Sequence, residues 1–320
     1  MKLIIQLPCY NEEQTLPVTL SALPRRLPGI DRVEWLVVDD ASQDRTAEVA
    51  RAHGVDHVVS LPRHQGLART FLVGLETSIN AGADIIVNTD ADNQYCADDI
   101  PKLIAPILAG TAEIVIGARP IAQMRHFSPL KRCLQRLGSG VVRVVSNTDI
   151  PDAPSGFRAM SRDAAMRLHV FNEYTYTLET IIQAGQKGMA VTSVPIRVNA
   201  PVRPSRLFQS IPMYVWRQLL TMLRIFVTYR PFRFFAVQGG ILFGAGMLIG
   251  LRFVCDFLAT GGAGHVQSQI LASLLMAIGF FLGVVGILAD LIAVNRQLLE
   301  KLSWRMHKLE TRLASDKKPG

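Results

Sequence analysis

Through residues 1–200 the chain alternates short apolar runs with stretches of helical periodicity. Leu3–Leu7, Val33–Val38, His57–Leu61, Asp84–Asn88 and Ile114–Gly117 predict strands, and Glu12–Arg25, Arg45–Ala52, Leu67–Asn80 and Ile100–Leu108 predict the helices between them. Strand and helix in alternation predict an α/β domain with a mostly parallel sheet covered on both faces. A helical stretch around Pro129–Val145, a helix over Tyr176–Gln186 and a β-rich run over Ala190–Val198 follow.

Beyond residue 230 the pattern changes character. Phe234–Ala259 is almost wholly apolar, with Arg252 and Asp256 its only charges, and Ile270–Ala289 carries no charge. A bilayer crossing needs about 20 apolar residues, so both segments predict transmembrane helices. Two such segments joined by a short Gly-rich link would otherwise need an unusually large soluble core. Gly240-x-x-x-Gly244, Gly246-x-x-x-Gly250 and Gly279-x-x-x-Gly283 allow close helix contact, within the chain or in a homo-oligomer. Arg252 and Asp256 stand one helical turn apart, which predicts an ion pair near the far interface.

The net charge of +8 would fit a nucleic-acid binder if it were spread over the first domain. It is not. Residues 203–233 hold six Arg and no acid, and 295–320 hold seven Lys or Arg against three acids, so the basic excess flanks the apolar segments. That placement argues against a nucleic-acid partner and for an anionic membrane surface, with the basic flanks on the cytoplasmic side. The loop Thr260–Gln269 has no Lys or Arg and is assigned to the opposite side, so both chain ends are expected in the cytoplasm. Arg217, Arg224 and Arg230 recur at about two helical turns, as in helices lying in the interface. The first apolar run stops at Pro8 and reads as a strand rather than a secretory signal. Cys9, Cys96, Cys133 and Cys255 lack metal-ligand or redox spacing and read as reduced thiols of a cytosol-facing protein.

Polar clusters fall just after the predicted strands: Tyr10-Asn11-Glu12-Glu13, Asp39-Asp40, Asp90 with Asp92, and Arg119. Parallel sheets bind ligands beyond the carboxyl ends of their strands, so these clusters predict one site. Asp90 and Asp92, one residue apart, offer oxygen ligands suited to Mg²⁺ or Mn²⁺ shared with a diphosphate. Alone the pair also reads as a solvated turn; the other clusters favour the site. Asp39 and Asp40 can accept hydrogen bonds from a nucleobase N–H and ribose hydroxyls, while Ser42 and Asp44 suit a helix N-cap.

Pro8-Cys9-Tyr10-Asn11-Glu12-Glu13, Val38-Asp39-Asp40-Ala41-Ser42-Gln43-Asp44, His64-Gln65-Gly66-Leu67-Ala68-Arg69, Asp90-Ala91-Asp92-Asn93-Gln94, Gly117-Ala118-Arg119 and Ser155-Gly156-Phe157-Arg158 together resemble the motif series of family 2 glycosyltransferases. Within that family the chain most resembles the polyprenyl-phosphate group of dolichyl-phosphate mannose synthase and its bacterial relatives. The likeness covers about residues 1–206 by motif, and the two C-terminal spans match the bacterial architecture. It implies a GT-A-like, Rossmann-type catalytic domain over 1–205, interfacial helices over 206–233, two transmembrane helices within 234–294 and a basic cytoplasmic tail over 295–320.

The implied reaction is metal-dependent, inverting transfer of a sugar from a nucleoside-diphosphate sugar to undecaprenyl or dolichyl phosphate at the cytoplasmic face. Pro8, Tyr10, Asn11, Glu12, Asp39, Asp40 and Asp90 would hold the nucleotide. Asp92 would be the principal metal ligand, with Asp90 on ribose or metal and Gln94 close by. A lipid phosphate is already an anionic nucleophile, so it needs charge rather than a base, and Arg119, Arg132, Arg203 and Ser205 match acceptor-phosphate positions. Arg132 reads equally as a solvated residue beside Lys131, Arg136 and Arg143, and Arg203 as a juxtamembrane anchor. Arg203-Pro204-Ser205-Arg206 departs from the family's Arg-x-x-Gly-x-Ser-Lys pattern. Asp152 would face the donor sugar, or act as base in relatives with hydroxyl acceptors; Glu179 ranks lower, as a solvated helix residue. The polymerase signature Gln-x-x-Arg-Trp is absent. A transferase using a hydroxyl acceptor and a non-catalytic nucleotide-sugar-binding membrane partner are the rival readings.

Overall fold

A computed structural model describes residues 1–120, 139–140, 142–143, 146–168, 176–200, 220, 223–224, 227–260 and 266–316. The chain divides into two compact units, Met1–Gln218 with Trp304–Gly320, and Leu219–Ser303.

In the first unit the described residues form one seven-stranded sheet. Its strands are β1 (Lys2–Cys9), β2 (Arg32–Asp39), β3 (His57–Ser60), β4 (Ile85–Asn88), β5 (Ile114–Ala118), β6 (Arg158–Ser161) and β7 (Val191–Pro195), in the order β3-β2-β1-β4-β6-β5-β7. Neighbouring pairs are parallel except those made by β6, which runs antiparallel to both β4 and β5. The expected mostly parallel α/β sheet is therefore present, with one reversed strand inside it.

Helices α1 (Leu16–Ala22), α2 (Thr46–Ala52), α3 (Leu67–Asn80), α4 (Ile100–Leu108), α5 (Arg162–Arg167) and α6 (Thr177–Gln186) join the strands. β1 is central, and Leu3, Ile4, Ile5 and Leu7 are fully buried on both of its faces, which is why it reads as an unbroken apolar run. Register aligns Cys9 with Asp39 and Gln6 with Asn88, so β1, β2 and β4 deliver the residues after them to one edge.

α1 is shorter than its periodicity predicts. Pro17 lies in its first turn, and Leu23 before Pro24 is extended, so the residue before proline leaves the helix. β6 and α5 carry no periodic signal. β6 is four residues long, and Ser161 ends it while its Oγ accepts Ala164 N at 3.2 Å to cap α5.

α7 (Pro231–Thr260) and α8 (Val266–Asp316), the latter as far as Ser303, lie in the second unit and contain the apolar segments. Both are long and apolar enough to cross a membrane, over Pro231–Leu258 and Val266–Met306, with mean hydropathy 1.9 and 2.6. Their large side chains mostly point outward, including Ile241, Leu248, Leu258, Phe280, Phe281 and Ile292. The helices meet at glycine. A Cβ on Gly239 would lie 2.7 Å from Gly279 O, and one on Gly246 would lie 2.7 Å from Ala272 O. Of the glycines in the three sequence pairs, Gly246 and Gly279 make this contact, with Gly239 as a partner outside the pairs, whereas Gly240, Gly244, Gly250 and Gly283 face open space. Arg252 Nε stands 3.7 Å from Asp256 Oδ2. α8 continues past the uncharged stretch because no proline or glycine interrupts residues 287–316.

Candidate active site

The residues after β1 and β2 are laced together. Asn11 N donates to Ser42 Oγ at 2.9 Å, and Gln43 N donates to Asn11 Oδ1 at 2.8 Å. Glu12 N donates to Thr46 Oγ1 at 2.9 Å, and Glu13 N to Asp44 Oδ2 at 3.1 Å. Ser42 thus braces the neighbouring loop, while Asp44 does both: α2 starts from Arg45 with no side-chain cap of its own, and Asp44 Oδ1 accepts Thr46 N, the first amide of the helix, at 3.0 Å. Burial opposes the charge of Asp44, but donation from the Thr46 hydroxyl and from the Glu13 and Thr46 amides holds its pKa below the ordinary carboxylate value. Asn11 and Ala41 adopt left-handed backbone, at φ +55° and +56°. For Ala41 that conformation is unfavourable by roughly 1–2 kcal/mol, so strain is concentrated at the strand ends.

Asp39 and Asp40 are both buried but do different things. Asp40 Oδ1 accepts Gln65 N and Oδ2 accepts Gly66 N, each at 2.8 Å, and His64 Nδ1 lies 2.9 Å from Oδ2. Asp40 is therefore the anchor of the loop between β3 and α3. Gly66 turns that loop at φ +85°, where a side chain would be strained. Asp39 Oδ1 accepts Ser42 N at 3.2 Å; among the described residues its other oxygen carries no hydrogen bond. Tyr10 lies against the His64 ring at a centroid distance of 4.1 Å, and it remains partly exposed. Pro8 sits within β1 opposite Val38.

At the end of β4, Asp92 Oδ1 accepts Gln94 N at 3.1 Å across Asn93, which is left-handed at φ +54°. Burial, and then the charge of Asp92, push Asp90 up to about 7, against the pull of Arg119 and Arg158. Gly156 lies under Asp90. A Cβ there would approach Asp90 Oδ1 to 2.9 Å and Tyr176 Oη to 3.2 Å.

A polar chain runs behind it through the core. Gln6 Nε2 donates to Asn88 Oδ1, and Asn88 Nδ2 to Gly156 O and Tyr176 Oη, all at 2.9 Å, while Gly156 N donates to Tyr95 Oη at 3.0 Å. Burial raises the pKa of Tyr95 to about 12 and that of Tyr176 further, so both stay neutral hydroxyls, here accepting from Gly156 N and Asn88 Nδ2. Arg158 is fully buried, donates to Thr180 Oγ1 at 2.5 Å, and burial lowers its pKa.

Arg119 and Asp152, given separate roles by the sequence, form one pair. Arg119 Nε donates to Asp152 Oδ2 at 2.7 Å, Nη2 to Oδ1 at 2.9 Å, and the Arg119 backbone N to Oδ2 at 3.1 Å. Asp152 is 1% exposed and Arg119 12%. Glu179 is buried within α6 rather than solvated. Arg132, Arg203 and Ser205 lie outside the described residues, as does most of the helical stretch expected around Pro129–Val145. The sequence reading assigned no role to Gln6, Asn88, Tyr95, Gly156, Arg158 or Tyr176. Gln6 and Asn88 had a legible signal, since each is a polar residue inside an apolar strand run.

Among the described residues no group of three metal-ligating side chains occurs. Two carboxylates at one strand end fit a hard cation that takes the rest of its shell from phosphate and water. The upward shift at Asp90 comes first from burial and only then from the Asp92 charge, and a cation between the two carboxylates would oppose both.

A mostly parallel sheet with paired carboxylates and tethered loops along one edge defines an α/β protein of the kind that takes ligands beyond the carboxyl ends of its strands. The chain belongs to glycosyl transferase family 2, whose profile matches residues 4–168, and is a glycosyltransferase. It is 28% identical to the undecaprenyl-phosphate mannosyltransferase of Micrococcus luteus, over 61% of this chain and 83% of that protein. It is 26% identical to the polyprenol monophosphomannose synthase of Mycolicibacterium smegmatis, over 60% and 76%. Against the UDP-N-acetylglucosamine–dolichyl-phosphate N-acetylglucosaminyltransferase of Methanococcus voltae the identity is 29%, over 60% and 83%. Glucosyl-3-phosphoglycerate synthase from Mycobacterium tuberculosis, solved with Mn²⁺, UDP and phosphoglyceric acid, superposes with a TM-score of 0.54 at 20% identity, covering 69% of this chain and 78% of that one. The fold is GT-A-like.

Proposed function

We propose that this glycosyltransferase moves a sugar from a nucleoside-diphosphate sugar to a polyprenyl phosphate, undecaprenyl or dolichyl, with inversion and with Mg²⁺ or Mn²⁺. The observation that carries the reading is the Arg119–Asp152 pair. Both Asp152 oxygens accept from Arg119, which supports reading Asp152 as the partner of a cation rather than as a base. An acceptor that arrives as a phosphate oxygen needs no base, whereas a hydroxyl acceptor does. Among the described residues Arg119 uses N, Nε and Nη2 on Asp152, which leaves the two N–H groups of Nη1 for an anion. The names of the relatives above point to the same acceptor class.

On the donor side, Asp39 has an oxygen for a nucleobase N–H, and Tyr10, packed on His64, is the partly exposed aromatic ring after β1. Asp90 and Asp92 would hold the cation, which supplies diphosphate charge neutralisation and Lewis-acid stabilisation of the leaving nucleoside diphosphate. Gln94 N fixes the Asp92 carboxylate. Arg132, Arg203 and Ser205 remain proposed acceptor contacts, and the 1–205, 206–233, 234–294 and 295–320 division remains the proposed organisation. α7 and α8, apolar on their outer faces and flanked by basic residues, are proposed to anchor the protein in the membrane with the catalytic domain and both termini cytoplasmic.

The test is a panel of UDP- and GDP-sugars incubated with membranes containing the protein and added undecaprenyl or dolichyl phosphate. One donor should label a lipid product in the presence of Mn²⁺ or Mg²⁺. Transfer from a donor to water-soluble hydroxyl acceptors alone would overturn the reading.

A further inference from the structure

We propose that Asn199 is a positioning residue for the carboxylate loop and sets how tightly the site takes a divalent cation together with a nucleoside diphosphate. The inference rests on the function proposed above and concerns the loop Asp92–Asp99 that carries Asp92.

That loop is held from outside by residues about a hundred positions later. Arg197 N donates to Asp99 Oδ2 at 2.7 Å, Arg197 Nη2 donates to Asp99 Oδ1 at 3.0 Å, and Cys96 N donates to Arg197 O at 3.4 Å. Tyr95 and Val198 form an antiparallel bridge. Asn199 N then donates to Gln94 O at 2.9 Å, and Asn199 Nδ2 donates to Asn93 O at 2.9 Å and to Tyr95 O at 3.4 Å. The fastening advances rung by rung from buried Asp99 toward Asp92. Its last rung is Asn199 on Asn93, the residue that follows Asp92.

Asn93 is also where the backbone is left-handed, at φ +54°, and this turn lets Gln94 N reach Asp92 Oδ1. A ligating carboxylate has to be held within about 0.5 Å of its working position, and supporting hydrogen bonds supply that restraint. A side-chain amide can give two N–H groups to two carbonyls at once, which aspartate and alanine cannot. The Arg197–Asp99 pair at the other end is anchored on a fully buried carboxylate and serves the fold. Asn199 itself is exposed, so its side chain touches the loop without belonging to the core. Position and folding can therefore be separated by substitution.

The experiment measures retention of UDP and of GDP by the full-length, detergent-solubilised protein during a Mn²⁺ titration, without acceptor or turnover, together with Tm. Wild type should retain one nucleotide in a Mn²⁺-dependent way. Asn199→Ala and the near-isosteric Asn199→Asp should each need roughly three to ten times more Mn²⁺ for half retention, the scale of one lost hydrogen bond, and reach wild-type retention at saturating Mn²⁺. Tm should stay close to wild type. An unchanged Mn²⁺ midpoint in both variants, with or without a fall in Tm, overturns the inference and leaves the functional reading standing. If wild type retains neither nucleotide at any Mn²⁺ concentration, the functional reading fails first and takes this inference with it.

Discussion

At the scale of residues, the end of β4 sets buried Asp90 close to the charge of Asp92, with Arg119 and Arg158 pulling the other way. Asp92→Asn removes one of the two carboxylates at a partly exposed strand end, where the fold does not depend on it. Turnover should fall about a thousandfold, equivalent to about 4 kcal/mol of transition-state stabilisation, while Tm changes little; a purified variant with near-normal turnover would remove Asp92 from the reaction. Gly156→Ala should also lower activity strongly, because its Cβ would press on the Asp90 carboxylate and the Tyr176 hydroxyl. Asp152→Asn is a different case. It leaves a largely buried Arg119 without its counter-charge, and losing one partner of a buried pair costs about 3–5 kcal/mol. Thermal unfolding should therefore show a lowered Tm for Asp152→Asn, and an unchanged Tm would mean that the pair is not formed in solution.

The residue types of the site were readable before the fold was known, since Asp39, Asp40, Asp90, Asp92 and Arg119 all stand where strand patterns end. Their partners were not. That Asp40 is committed to Gln65 and Gly66, or that Arg119 grips Asp152 thirty-three positions away, depends on loop paths that no local pattern records.

At the scale of elements, strong periodicity translated directly: α3 and α4 begin and end where the pattern placed them. β6 escaped because a four-residue strand reversed within a parallel sheet, carrying a buried arginine, has no apolar alternation to detect. The glycine pattern of the spans was legible as a tendency to close contact but not as a choice of face. Gly279→Ile should separate α7 from α8 and lower thermal stability in detergent, since its Cβ would meet Gly239 O at 2.6 Å. Gly283→Ile, one turn further and in open space, should not; equal loss from both would rule out the glycine contact. In β2, Glu34 lies 2.7 Å from both Lys2 Nζ and His57 Nε2, and 2.6 Å from Arg32 Nε. Burial opposes its charge, yet hydrogen bonds from Lys2 and His57 and the charges of Lys2 and Arg32 lower its pKa below the ordinary 4.5. Its stabilisation is thus complete above pH 4.5 and is lost as pH falls through the lowered folded value. Glu34→Gln should flatten the acid limb of a Tm-against-pH curve, and an unaltered limb would assign that limb to other carboxylates.

At the scale of the whole molecule, a soluble donor and a membrane acceptor must meet on one side. A reporter fused after Gly320 should be cytoplasmic and a tag at Gly262 should be labelled from outside, as the Arg-rich 203–233 segment and the Lys/Arg-free loop require. The reverse orientation would cut the catalytic domain off from cytoplasmic nucleotide sugars. The central claim is that an anionic lipid phosphate is the nucleophile. Its most direct test supplies the purified protein with a labelled donor and either undecaprenyl phosphate or undecaprenol, with Mn²⁺ or EDTA. Labelled lipid is expected from the phosphate with Mn²⁺, and none from the alcohol or in EDTA; labelled product from undecaprenol, or undiminished transfer in EDTA, would rule out this chemistry.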